Sequence, residues 1–283
     1  MAVFQVDFMA ETLGRTVPII VILPTDKVYF PGMPRREEGK PYKTLYLLHG
    51  VIGDCTDWLY GTRIRRWAEE KDLCVVMPSG DNAFYLDQPW AGNNYSEFVG
   101  RELVEFTRKT FPLSRKKEDT YIGGLSMGGY GAIYNGFKFN KTFGAVIGLS
   151  SAMTVDETLP LENPDPKFPI ERTEVKKAIF GDDLEAVAGS EKNPRVLISR
   201  LLEDKKELPK LYMACGNDDF LKEKNDAFVS FLKENGVEHT YETGPGSHEW
   251  DFWDTYIKKA LEWLPLEDAV QGRTSGNVGL SDV

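Results

Sequence analysis

Long hydrophobic runs are missing from this sequence. No stretch approaches the roughly 18 consecutive apolar residues that a membrane-spanning helix needs. The N-terminus, Met-Ala-Val-Phe-Gln-Val-Asp, has neither the basic segment nor the apolar core of a secretory signal. The chain therefore reads as a cytoplasmic protein with no membrane partner. Cysteine is scarce: Cys55, Cys74 and Cys215 are odd in number and widely spaced, which argues against a disulfide framework or a zinc knuckle. Cys74 and Cys215 lie in apolar runs, as buried thiols of a reducing compartment do. Positive charge is in deficit, with 34 Lys and Arg against 44 Asp and Glu and a net charge of −10. Such a chain repels phosphate backbones, so no nucleic-acid partner is expected. The short basic runs at 63–66 and 115–117 read as solvated faces. Also absent are G-x-G-x-x-G, a Walker loop and H-E-x-x-H, so no cofactor and no metal are expected. Histidine occurs three times only.

What is present suits a globular enzyme-sized domain. The 283 residues are 41% hydrophobic and 28% charged, close to the soluble norm. Two strand-like segments, Val3 to Leu13 and Thr16 to Leu23, flank a turn at Leu13-Gly14-Arg15. Short apolar runs follow at Thr44–Leu48, Leu73–Met77, Thr120–Ile122, Phe143–Leu149, Leu211–Cys215 and His239–Thr243, as expected of strands covered on both faces. Helical spacing lies between them, at Phe98, Val99, Leu103 and Phe106, at Phe228, Phe231 and Leu232, and at Trp250, Trp253, Ile257, Ala260, Leu261 and Leu264. This alternation predicts a single α/β domain over residues 1–265, with a mostly parallel central sheet and helices on both faces. Residues 152–210 break the rhythm with Pro160, Pro164, Pro166 and Pro169 and several short amphipathic pieces. They read as a small helical, cap-like insertion at the carboxyl edge of the sheet, with a plain side layer of helices as the alternative. Residues 266–283, rich in Gly and Ser, read as a flexible tail.

The sharpest motif is Gly124-Leu125-Ser126-Met127-Gly128. It follows a strand pattern and opens a helix pattern. A serine on so sharp a turn is forced outward, with glycines allowing the tight backbone, and the helix beneath it favours developing negative charge. A serine hydroxyl needs a base. Of the three histidines, His239 starts a strand and His49 ends one, which leaves His248, in a Gly-Pro-Gly-Ser loop before the last helix. A carboxylate must fix the base, and either Asp218 or Asp219, after the strand Leu211–Gly216, is placed to do so. The chain order Ser, Asp, His is that of the α/β-hydrolases. An oxyanion hole would use the N–H of Met127 and, after the strand ending at Leu48, that of Val51.

Taken together, Tyr46-Leu47-Leu48-His49-Gly50, Met77-Pro78-Ser79, Gly124 to Gly129, Cys215 to Leu221 and His248 to Trp253 resemble the esterase D branch of the α/β-hydrolases. That branch includes tributyrin esterases, S-formylglutathione hydrolases, feruloyl and acetylxylan esterases and mycolyltransferases. The resemblance spans about Val3 to Leu264. It implies an α/β-hydrolase fold, a serine esterase activity without cofactor, and a dimer or tetramer as an option. The branch's glycine-x-x-aspartate spacing, counted from Gly216, selects Asp219. His49-Gly50-Val51-Ile52-Gly53 departs from the serine-glycine and cysteine-containing stretch usual in S-formylglutathione hydrolases.

The expected substrate is a small-molecule or oligosaccharide ester carrying a short acyl group, acetyl to butyryl. The insertion has no long apolar run to build a deep acyl channel, and the charge of −10 disfavours anionic substrates. Trp90 and Trp250 are the expected substrate-binding aromatics. The alternatives are a feruloyl esterase, an S-formylglutathione hydrolase-like thioesterase, an acyltransferase using the same three residues, and a non-catalytic binding module on the same fold.

Overall fold

A computed structural model describes residues 1–29, 31–32 and 35–267. The expected tail lies outside the described residues from position 268 onward. Eight strands form one sheet: β1 (Ala2–Ala10), β2 (Arg15–Leu23), β3 (Lys43–Leu48), β4 (Leu73–Pro78), β5 (Thr120–Leu125), β6 (Ala145–Leu149), β7 (Lys210–Gly216) and β8 (His239–Gly244). Their spatial order is β1-β2-β4-β3-β5-β6-β7-β8. Strand β2 is antiparallel to both neighbours, and from β4 through β8 every pairing is parallel.

The apolar runs become strands because both faces are covered. In β3 to β7 successive side chains alternate between two cores. Tyr46, Val76, Ile122, Val146 and Met213 face one; Leu45, Val75, Tyr121, Ile147 and Tyr212 face the other. The first core is closed by α3 (Leu103–Thr110), α4 (Met127–Lys138) and α8 (Lys222–Glu234), and the second by α1 (Asp57–Gly61), α2 (Ile64–Glu70) and α9 (Trp250–Trp263). The opening hairpin is shorter than its sequence pattern. Strand β1 ends at Ala10, a 3-10 turn takes Glu11–Leu13, and Gly14 makes the reversal at φ 60°. Among the described residues no helix is long and apolar enough to cross a membrane.

Residues 152–210 carry α5 (Thr173–Phe180), α6 (Leu184–Val187) and α7 (Pro194–Glu203). Asp183 caps α6 through the Ala186 N–H, and Asn193 caps α7 with Pro194 at its first position. Val155, Leu159, Ile179, Phe180, Leu197 and Ile198 join the same core as α4. The segment is packed into that core, while its proline-rich stretch at 160–169 stays mostly exposed.

Because β3, β5, β6, β7 and β8 run parallel, their carboxyl ends lie along one edge of the sheet. The loops that follow them gather there, where ligands bind in such sheets.

Candidate active site

Ser126 stands between β5 and α4 with φ 54° and ψ −119°, a left-handed conformation that side chains rarely adopt. The surroundings impose it. The Ser126 N–H donates to the Leu149 carbonyl at 2.9 Å, and its own carbonyl accepts from Tyr130 N at 3.0 Å and Ala152 N at 2.9 Å. Holding such a residue costs about 1–3 kcal/mol. The flanking glycines permit it: a Cβ on Gly124 would overlap the Gly128 carbonyl, and one on Gly128 would overlap the carbonyls of Leu48 and His49. The helix thus begins with its backbone pressed against the end of β3.

His248 and Asp219 meet. The imidazole Nδ1–H donates to Asp219 Oδ2 at 2.9 Å and Oδ1 at 3.1 Å. Asp219 is buried, whereas Asp218 is exposed, so the structure brings the later aspartate to the histidine. Burial alone would raise the Asp219 pKa. Hydrogen bonds from His248, the Leu221 N–H (2.8 Å) and Ser150 outweigh burial and hold the carboxyl below the usual carboxylate range. An ionised acceptor on Nδ1 leaves Nε2 of neutral His248 free to take a proton. Behind the pair, buried Trp253 donates from Nε1 to Ser150 Oγ at 3.1 Å and sets its ring edge-on to the imidazole, 4.9 Å between centroids. Among the described residues no hydrogen bond joins Ser126 to His248; such contacts tighten when substrate closes the site.

The turn after β3 lies directly against the serine. A Cβ on Gly50 would stand 2.8 Å from Leu125 Cδ1 and 3.5 Å from Ser126 Cβ. Val51, half-buried, follows it, and Met127 is the first residue of α4, where backbone N–H groups lack helical partners. His49 fixes this turn. Its Nδ1 bonds the Gly50 carbonyl at 2.6 Å while Nε2 accepts from the Gly80 N–H at 2.8 Å. Nε2 must therefore be unprotonated, and burial lowers the His49 pKa in agreement. His239, as its strand position implies, is elsewhere, bonding the Val237 carbonyl through Nδ1.

Trp90 and Trp250 take other partners. Trp90, 53% exposed, donates from Nε1 to the Ala178 carbonyl near the end of α5, with the Lys192 ammonium 5.2 Å from its ring. Trp250 packs edge-on to Trp58 and Trp253 and closes over Gly61. Neither touches Ser126, Asp219 or His248 through a hydrogen bond or ring contact among the described residues. Sequence reasoning missed Ser150, the clamping role of His49, and Phe220, which is 73% exposed with its ring 4.6 Å from that of His248. Phe220 had a signal in its adjacency to Asp219; Ser150 had none beyond its place after a strand. Cys55 and Cys215 are no rival nucleophiles, because burial pushes both thiols up, Cys215 to about 12.

The strand order, the single antiparallel β2 and the serine turn at the carboxyl edge define an α/β-hydrolase. Residues 10–264 match the family model described as "Putative esterase", and the chain belongs to that esterase family. It is 42% identical over 264 residues to an acetyl esterase of Caldicellulosiruptor saccharolyticus, covering 93% of this chain and 98% of the relative. Among solved structures it is similar to FphF, a fluorophosphonate-binding serine hydrolase of Staphylococcus aureus, with 34% identity, a TM-score of 0.80, and 93% and 98% of the two chains covered. It is likewise similar to an S-formylglutathione hydrolase from Staphylococcus aureus, with 34% identity, a TM-score of 0.78 and the same coverage. The chain is a carboxylic ester hydrolase.

Proposed function

We propose that the protein removes short acyl groups, acetyl to butyryl, from neutral alcohols or sugars through an acyl-enzyme on Ser126. The observation that carries this reading is the bond from His248 Nδ1 to the buried, ionised Asp219, which leaves Nε2 as base at the edge where Ser126 stands. In acylation Nε2 takes the Ser126 Oγ proton as Oγ attacks the carbonyl carbon. The oxyanion is held by the N–H groups of Met127 and Val51. The tetrahedral adduct collapses, the carbon–oxygen bond to the alcohol breaks, and Nε2 returns its proton to the departing oxygen. Water then attacks the acyl carbon by the same route and frees the acid. The acetyl esterase relative supports the acyl preference, as does the absence of a long apolar run in the 152–210 segment.

The test is a panel of acetyl, butyryl, longer acyl, feruloyl and glutathione thioesters, with Ser126→Ala beside the wild type. Ser126→Ala is expected to lose about 10⁵-fold or more in kcat with the fold intact, and a fluorophosphonate should label Ser126 alone. A kcat/KM that climbs steadily from four to twelve acyl carbons would overturn the short-chain preference; labelling at another serine would overturn the mechanism.

A further inference from the structure

We propose that Phe220 is a specificity residue for the alcohol half of the ester, offering its ring to an aryl or sugar group. The inference rests on the acyl-enzyme reading above.

Both neighbours of Phe220 are tied into the protein. Asp219 is buried and bonded to His248, its N–H donates to the Gly216 carbonyl at 3.2 Å, and Leu221 is buried with its N–H on Asp219 Oδ1. The backbone is therefore fixed, yet the side chain between is 73% exposed. A single exposed apolar residue is ordinary on a protein surface. This one is held against the imidazole at 4.6 Å with a 49° tilt.

The work of orienting His248 is already assigned to other groups. Asp219 holds Nδ1, and Trp253, anchored through Ser150, packs edge-on to the ring. Phe220 adds no polar contact to that arrangement, and most of its ring faces solvent.

Proton balance says what would come to that ring. In acylation Nε2 hands its proton to the alcohol oxygen, so that oxygen lies within hydrogen-bond reach of the imidazole and the rest of the alcohol extends from it. A ring in contact with the imidazole is placed to meet this group, and an aromatic face suits an aryl or sugar ring. In deacylation water takes the same position and has no ring to stack. The expected signature is an effect on acylation that depends on the alcohol and spares deacylation.

The experiment compares wild type, Phe220→Ala and Phe220→Tyr on ethyl acetate, phenyl acetate and an acetylated xyloside, which share one acetyl-enzyme. Deacylation is read by single turnover. For Phe220→Ala, kcat/KM on the phenyl and xyloside esters should fall about five- to tenfold relative to ethyl acetate, the size of one lost ring contact. Deacylation should stay within about twofold of wild type, and Phe220→Tyr should restore the profile. An equal loss on all three esters, or slowed deacylation, would show that Phe220 merely props His248 and would overturn the proposal; so would an unchanged profile. Turnover that survives Ser126→Ala would instead sink the acyl-enzyme reading, and with it this one.

Discussion

Two parts of the molecule, the serine turn and the 152–210 segment, are held in different ways. Around Ser126 the contacts are backbone on backbone: Gly128 lies against the carbonyls of Leu48 and His49, and Gly216 against that of Gly246. The 152–210 segment is held by apolar packing against the core of α4 and by side chains that reach carbonyls. Trp90 bonds Ala178 and Tyr130 bonds Lys192 at 2.5 Å from outside, while Lys192 bonds Phe180 at 2.6 Å within the segment. Backbone contacts leave no room for a Cβ, whereas side-chain tethers can be exchanged for others at modest cost. Chemistry that must be exact to a fraction of an ångström is built on the first kind of contact, and the region free to vary in shape on the second.

The comparison is broken most severely at the acid. Asp219→Asn should reduce kcat by about 10⁴-fold through the wrong His248 tautomer, while exposed Asp218→Asn should cost about tenfold at most. Steady-state kinetics on one acetyl ester decides it, and the reverse ranking would move the carboxylate by one residue.

A pair of glycines tests the backbone directly. Gly128→Ala should destabilise by about 2–3 kcal/mol despite the better helix propensity of alanine, because its Cβ has nowhere to go. Gly189→Ala, in the 152–210 segment, meets nothing closer than the Ala186 carbonyl at 3.9 Å. It should be neutral or stabilise by up to about 1 kcal/mol. Urea midpoints of the two variants give the answer, and equal effects would erase the contrast.

His49 gives a pH-dependent version. Its folded pKa is lowered by burial, so its contribution to stability is complete above the unfolded histidine pKa, about 6.5, and is lost as pH falls toward the folded value. Wild-type stability should therefore decline between about pH 7 and 5 more steeply than that of His49→Gln, which has no imidazole to protonate on unfolding. Parallel slopes in urea titrations would mean that His49 is not held neutral.

The smallest effect belongs to the tethers. Trp90→Ala removes one indole bond and a cation–π contact and should cost about 1 kcal/mol or less of stability. Its influence should show in KM for bulky esters rather than in kcat. A large kcat loss would tie Trp90 to the chemistry itself.

Much of this arrangement was legible because strands buried on two faces must be written as continuous apolar runs, and β3, β4, β6 and β7 are. The turn Gly124–Gly128 was legible because its backbone tolerates little else. Position after the strand left Asp218 and Asp219 level, and only the resembled branch's spacing from Gly216 chose between them: their physical difference is burial, created by a loop that folds back from β8. His49 looked like the end of a strand because its partner, the Gly80 N–H, is contributed by the neighbouring strand's loop. Spacing put Trp250 near the site but could not say that Trp58, Trp253 and Gly61 occupy its faces.

All three imidazoles carry their bonded proton on the same nitrogen. His49 gives Nδ1 to Gly50, His239 to Val237 and His248 to Asp219. Isolated histidine favours the other tautomer, so each ring is biased by its own neighbour. With so few histidines, every imidazole nitrogen becomes an individually assignable resonance. In isotope-labelled protein two of the three act as internal standards for the third, so the protonation of His248 can be followed on a single atom without a substrate analogue.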